Sequence, residues 1–282
     1  MSHALGRTTP SLCDAGCIVN LAGGSTRGTA MAADLQGRIC VVTGAANGIG
    51  RASALYLARA GADLAVLDRE AEPLAALARE IEALGRRAFA LTLDCTERAA
   101  VEDAFRRIAA QCGPVDVLFN NVGQSARERA TEFWSSDPDT WDFVLKVSLR
   151  TAMLCTRQVV GGMRERRAGK IINMSSESAF YGDLGLVDYS AAKMGVVGFT
   201  RALARELAPF RVNVNAVAPG AIRTRAHDRL PAEVIDRIRD STPMGYIAEP
   251  EDVGNVVVFL ASEDSRFITG QSLLIDGGRW MI

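Results

Sequence analysis

Ile39-Cys40-Val41-Val42-Thr43-Gly44-Ala45-Ala46-Asn47-Gly48-Ile49-Gly50 is an apolar run that ends in three glycines and continues into an Ala/Leu-rich stretch near 48–60. Apolar residues in succession, bounded by turn formers, predict a buried strand, and the stretch after them predicts a helix. A strand that passes through a glycine-rich turn into a helix leaves backbone N–H groups and the positive end of the helix dipole facing one point. That point is a seat for a phosphate. Gly44, Gly48 and Gly50 hold the turn, with Asn47 and Ile49 between them, in a GxxxGxG spacing rather than the commoner GxGxxG. Taken alone, such a turn is also met as a plain tight turn.

Outward from this turn the same alternation continues. Leu64-Ala65-Val66-Leu67 reads as a second strand, and Leu74, Leu77, Ile81 and Leu84 mark the inner face of the next helix by spacings of three and four. Phe89–Leu93 follows as a strand, then a helix with Thr96 as its expected N-cap and Val101, Ala104, Phe105 and Ile108 inward. Val115–Phe119 is the fourth strand. The second half repeats the scheme with a long helix near 138–166, a strand at Lys170–Met174, a helix near 189–208 and a strand at Val212–Val217. A helix from Pro250, with Val253, Val256, Val257 and Leu260 inward, precedes a last strand at Ser272–Ile275. Strands alternating with helices predict an α/β fold, a single Rossmann-type doubly wound parallel sheet of about seven strands with helices on both faces. No break in composition divides it, so residues 34–282 are expected to form one dinucleotide-binding and catalytic domain. Ligands of such sheets lie beyond the carboxyl ends of the strands, where strand order reverses.

Bulk properties exclude more than they identify. The chain has 282 residues, 48% hydrophobic and 23% charged, with a net charge of −1. That is the profile of a soluble protein with a sizeable core, and no basic surface is implied for nucleic acid or anionic lipid. No apolar run approaches the ~18 residues of a membrane helix. Cys13, Cys17, Cys40, Cys95, Cys112 and Cys155 are scattered and the histidines are His3 and His227, so no metal site is expected and reduced, cytoplasmic thiols are. Residues 1–33 are rich in Gly, Ser, Thr and Ala, with Asp14 the one acid. They are expected to be a flexible N-terminal extension, residues 1–30 being dispensable and Met31 an ordinary start.

Asp68 ends the second strand, eighteen residues beyond Gly50. An acid there accepts hydrogen bonds from the ribose hydroxyls of NAD and repels a 2′-phosphate. Asn47 stands where a basic side chain would receive that phosphate, while Arg69 keeps NADP open as the lesser alternative. Asp68 also fits a simple solvated strand end. Asp94, followed by Cys95, ends the third strand and is expected to border the adenine pocket.

Tyr189 and Lys193 stand four apart in Tyr-Ser-Ala-Ala-Lys, thirteen residues after Ser176. On a helix they share a face. A tyrosine titrates near 10, too high for an efficient base at neutral pH. An ammonium about 4 Å from the phenolate would favour ionisation by about 4 kcal/mol at an effective dielectric of about 20, or about three pKa units before solvent relaxes. Ser176 offers a short neutral donor for a carbonyl or hydroxyl oxygen.

Thr43-Gly44-x-x-x-Gly48-x-Gly50, Asn120-Asn121-Val122-Gly123, Ser176, Tyr189-x-x-x-Lys193 and Pro219-Gly220, in that order across residues 36–282, resemble the short-chain dehydrogenase/reductase family. The resemblance implies hydride transfer between a nicotinamide coenzyme and an alcohol or ketone carbon. It implies that Tyr189 is the acid/base, that Lys193 lowers its pKa and holds the nicotinamide ribose, and that Ser176 orients the substrate oxygen. It further implies coenzyme contacts from Asn121, Gly123, Pro219, Gly220, Ile222 and Thr224, and a homotetramer built on the helices near 138–166 and 189–208 and the C-terminal segment. One position departs. Where the family's long helix usually carries Asn, in the stretch Trp141–Leu149, this chain has Ser148. In the family that residue helps a water link the lysine to solvent, and Ser148 is expected to retain the relay. Val122 replaces a commoner Ala.

Residues 225–245 are the expected lid. Arg225, His227, Arg229, Arg237 and Arg239, with Arg127 and Arg129, suit an acidic substrate such as a carboxylate or a coenzyme A thioester. Balanced by Glu128, Asp228, Glu233, Asp236 and Asp240, the same residues read more simply as solvated faces. Phe180, Tyr181, Leu184, Leu186 and Met244 are candidates for an apolar pocket. The sequence therefore reads as an NAD-dependent oxidoreductase of a small secondary alcohol or ketone. Three alternatives stand beside it: a 3-oxoacyl thioester reductase (normally NADP-preferring), a ring-diol dehydrogenase, and a catalytically silent NAD(H)-binding scaffold or sensor.

Overall fold

The computed structural model describes Met1, residues 33–225 and residues 231–281. The chain divides into two units, Met1–Met31 and Ala32–Ile282, and the fold described is that of the second. His3, Cys13, Cys17, His227, Asp228 and Arg229, with the expected extension, lie outside the described residues.

Seven parallel strands form one sheet: β1 (Ile39–Thr43), β2 (Asp63–Asp68), β3 (Ala88–Thr92), β4 (Val117–Asn120), β5 (Gly169–Met174), β6 (Val212–Pro219) and β7 (Ser272–Ile275). Their order is β3-β2-β1-β4-β5-β6-β7, so the winding reverses where β1 lies between β2 and β4. The crevice at that reversal opens beyond Thr43 and Asn120.

Both faces of the sheet are covered, which is why its central strands are apolar without alternation. Cys40 and Val42 of β1 point to a core shared with α1 (Gly48–Arg59), α2 (Ala71–Ala83) and α9 (Pro250–Ala261). Val41 between them points to the opposite core, with α3 (Arg98–Gln111), α5 (Thr151–Arg166) and α7 (Val187–Leu207). The period of two along the strand sends neighbours to opposite sides.

A buried polar ladder crosses the second core. Asn120 Nδ2 donates to Thr156 Oγ1 at 2.9 Å and to Asn173 Oδ1 at 2.8 Å, and Asn173 Nδ2 donates to Thr200 Oγ1 at 3.0 Å. It joins α5 to α7 through β4 and β5. Buried polar groups bonded in this way fix one arrangement of the helices that carry them, while Asn120 Oδ1 has no hydrogen-bond partner among the described residues.

Three local expectations are corrected. The helix expected over 138–166 is α4 (Pro138–Leu145), then a π-helical turn over Lys146–Arg150, then α5; Ser148 sits in the widened turn. Thr96 does not cap α3: the Asp94 carboxylate accepts from its N–H at 2.8 Å, and the N-cap is Glu97, one residue before the helix starts at Arg98. Leu84 is the residue after the end of α2, its C-cap, and is 42% exposed rather than inward. Beyond β6, α8 (Ala232–Asp240) belongs to the expected lid. No helix among the described residues is long and apolar enough to cross a membrane.

Candidate active site

The glycine turn is built for close approach. Gly44 and Gly48 have φ of +64° and +52°, a region that side chains with a Cβ rarely adopt. A Cβ on Gly50 would stand 2.1 Å from Gly44 O, so only glycine fits there. Asn121 staples the turn from β4, its amide donating to Thr43 O at 3.1 Å and Gly44 O at 2.9 Å. Asn47, at the head of α1, makes no side-chain cap bond, so the N–H groups of the first turn face the crevice without that partner. Ile49 packs on the first core and Thr224 closes over the turn, its Cγ2 3.3 Å from where a Cβ on Gly48 would be.

Asp68 reaches back to the same turn. Its carboxylate accepts from Ala46 N at 2.9 Å and Glu70 N at 3.0 Å, which fixes its orientation at the strand end. Asp94 is occupied by Thr96 N, and Cys95 is buried with its thiol against Cys155. Pro219 pairs with Ile275, Gly220 N donates to Ile275 O at 3.0 Å, and Ile222 bridges to Ala248.

Ser176 follows β5 while Tyr189 and Lys193 come from the first turns of α7, and the fold brings the three together with Gly123 and Ser148. Ser176 Oγ accepts from Ser178 N at 3.2 Å and lies near enough to the Tyr189 phenol to lower its pKa. Lys193 is 1% exposed; its Nζ donates to Met174 O at 2.8 Å and lies 5.5 Å from the centre of the Tyr189 ring. A Cβ on Gly123 would meet that Nζ at 2.8 Å and Ser148 Oγ at 3.4 Å. Ser148 Oγ accepts from Gln124 N and donates to Gln124 O, both at 3.1 Å, so the π turn clamps the segment after β4.

The electrostatics differ from the sequence expectation. Burial raises the Tyr189 phenol above its ordinary value, and the Ser176 hydroxyl and the Arg127 guanidinium only partly offset it. Burial pulls the Lys193 ammonium down to about 8. Desolvation sets the direction for both groups, and the Lys193 ammonium, 5.5 Å from the centre of the phenol ring, does not offset it.

On the substrate side, Leu186 is core, while Leu184 and Met244 are exposed, at 100% and 62%, and line no closed pocket. Asp183 organises this side instead, accepting from Ser178 Oγ and Tyr181 OH at 2.7 Å each and facing Arg127 at 3.6 Å. Sequence reading passed over Asp183 and Glu177. The only signal for Glu177 was its place one residue after Ser176, at the end of an apolar strand. Among the described residues no cluster of three or more His, Cys, Asp or Glu could hold a metal ion.

A family model described as enoyl-(acyl carrier protein) reductase matches residues 44–279, the whole span from the glycine turn to the C-terminal turn. The 3-oxoacyl-[acyl-carrier-protein] reductase of Thermotoga maritima is 37% identical over 86% of this chain and 98% of its own. The chain belongs to the short-chain dehydrogenase/reductase family. Two other members show the range around it. The (2S)-[(R)-hydroxy(phenyl)methyl]succinyl-CoA dehydrogenase subunit of Thauera aromatica is 39% identical over 87% of this chain and 97% of its own. A Brucella melitensis 3-oxoacyl-[acyl-carrier protein] reductase, solved with bound NAD, superposes with a TM-score of 0.81 at 33% identity, covering 88% of this chain and 93% of that one. As a short-chain dehydrogenase/reductase the protein is an oxidoreductase of hydroxyl and keto groups that uses NAD(P). The glycine cradle, the partner-free N–H groups at the head of α1 and the strand-end Asp68 fit such a coenzyme.

Proposed function

We propose that this short-chain dehydrogenase/reductase uses NAD in preference to NADP and interconverts a secondary alcohol and a ketone, with Tyr189 as the proton donor and acceptor. The observation that carries the reading is the grouping of Ser176 and Tyr189 with a buried Lys193, near the strand ends where strand order reverses. When bound, the coenzyme supplies or takes the hydride. Gly44, Asn47, Gly48, Ile49 and Gly50 would seat its pyrophosphate on the head of α1, and Asp68 its adenosine ribose. Gly123, Pro219, Gly220, Ile222 and Thr224 would border its nicotinamide half.

The chain's own groups handle the proton. The protonated phenol gives its proton to the substrate oxygen in reduction and takes it back in oxidation. Ser176 holds that oxygen by a neutral hydrogen bond. Lys193, with its charge weakened by burial, follows the phenol's charge from the Met174 side. Ser148 holds Gln124 and so the wall of the crevice.

A second reading, reduction of a 3-oxoacyl thioester, is favoured by the names of the Thermotoga and Brucella relatives. The Brucella protein was solved with NAD, so coenzyme choice alone does not separate the two. Following NADH absorbance over alcohols, ketones and 3-oxoacyl thioesters, with NADPH in parallel and Tyr189→Phe as control, tests both. Turnover that vanishes in Tyr189→Phe supports the role given to the phenol; coenzyme binding with no turnover of any substrate supports a silent scaffold.

Assembly as a homotetramer is proposed with the same reading. Phe143, Met153 and Met194, exposed on α4, α5 and α7, are apolar surface for neighbouring copies. Sedimentation would give the mass.

A further inference from the structure

We propose that Arg225 and Glu70 form a switchable pair that sets this chain's response to the 2′-phosphate of a coenzyme, with Glu70 withholding Arg225 from it. The inference rests on the reading that the Gly44–Gly50 turn seats a nicotinamide dinucleotide.

Three side chains from three distant segments meet beside Asp68. The backbone N–H of Glu70 donates to Asp68 Oδ1 at 3.0 Å, so Glu70 leaves from the same turn that presents the Asp68 carboxylate. Arg225, 155 residues further on, brings Nη1 to 3.1 Å from Glu70 Oε2. Its Nη2 donates to Asn47 Oδ1. Asn47 Nδ2 completes the ring by donating to the same Glu70 oxygen at 3.2 Å.

Position 47 is where a basic side chain would receive a 2′-phosphate, and the sequence has asparagine there. The fold lays a guanidinium on that asparagine. Arg225 therefore supplies, from the far side of the crevice, the cation that the glycine turn itself lacks. Glu70 offsets it, and Asp68 and Arg69 beside it balance each other. A planar guanidinium freed from a carboxylate binds phosphate through two parallel hydrogen bonds. The Arg225 and Glu70 side chains are 54% and 42% exposed. An ion pair this open to water is weak, so the nearest anion decides where the guanidinium goes.

Coenzyme fluorescence titration of the full chain with NADH and NADPH tests this without relying on turnover. The parent is expected to bind NADH the tighter. Glu70→Gln keeps an acceptor for Asn47 but removes one negative charge and so weakens the hold on Arg225. It should tighten NADPH about tenfold, the value of one charged hydrogen bond, and leave NADH within about threefold. Arg225→Gln should weaken NADPH and spare NADH, and the double variant should lose the gain. NADPH affinity unmoved in both single variants, or a gain that survives in the double variant, overturns the inference. Should Glu70→Gln lose NADH as well, Arg225→Gln decides alone: unchanged NADPH affinity there refutes the pair. A parent that binds neither coenzyme sinks the dinucleotide reading and the inference with it; NADH binding with unresponsive NADPH sinks the inference alone.

Discussion

The Arg279 guanidinium lies 2.5 Å from the carboxylate of Glu177, the residue that follows Ser176. The contact ties the turn after β7 to the strand end that carries the candidate catalytic serine. Glu177 is 5% exposed, its second oxygen has no hydrogen-bond partner among the described residues, and a Cβ on Gly220 would come within 2.8 Å of that oxygen. Burial pushes the carboxyl up to about 7; Arg279 opposes the shift, while Asp276 and Asp183 add to it. The C-terminal turn therefore stabilises an acid that the interior disfavours.

Removing the cation strands that acid. Arg279→Ala is expected to cost about 2 kcal/mol near pH 8, below the range for a fully buried pair because Arg279 is partly exposed. The folded carboxyl titrates above its ordinary 4.5, so its contribution to stability is full below that value and is lost as pH rises through about 7. Without Arg279 the folded value climbs further, so the cost grows above neutrality and shrinks toward pH ~5. Urea unfolding at the two pH values measures it. An equal loss at both would mean the pair is not electrostatically coupled.

The raised phenol of Tyr189 fixes the direction of the pH profiles. Reduction needs the protonated phenol and should hold across neutral pH. Oxidation needs the phenolate, so kcat/KM for the alcohol should climb with pH and still be rising at about pH 9. With coenzyme saturating, kcat/KM for the alcohol reports the enzyme–coenzyme form that the alcohol meets. An oxidation profile that levels off near neutral pH would show that the phenol is acidic in solution.

Gly123→Ala probes the amine of Lys193. The added methyl would stand 2.8 Å from Nζ, the movable end of a long side chain, so the fold survives while the amine shifts. We expect kcat to fall about tenfold or more, with NADH affinity far less affected, since proton transfer depends on placement to a fraction of an ångström. Equal losses in both would assign Gly123 to coenzyme binding alone.

Ser148 is tested by two changes. Ser148→Ala removes the partner of both Gln124 backbone groups and should cost about 1–3 kcal/mol in denaturation. Ser148→Asn, which restores the family's usual residue, should leave turnover within about threefold of the parent if the π turn already serves the proton path. A gain of about tenfold or more would show that serine impairs it.

Much of this protein was legible in its sequence. The parallel sheet was readable because runs such as Ile39–Val42 and Leu64–Leu67 have strand length and the helices between them keep a period near 3.6, patterns that neighbouring residues carry by themselves. The glycine turn and the strand-end Asp68 were legible as local patterns, and Tyr189 with Lys193 as a helical spacing of four; that Ser176 joins them was implied by the family resemblance. Tertiary structure alone decided the rest. The Glu177–Arg279 contact spans 102 residues and the Arg225–Glu70 contact 155, and no local period encodes such meetings. The shifts of Tyr189 and Lys193 likewise depend on how much water the fold removes, which their spacing alone does not set. Short-range pattern chose the elements; packing between distant segments set the charges they hold.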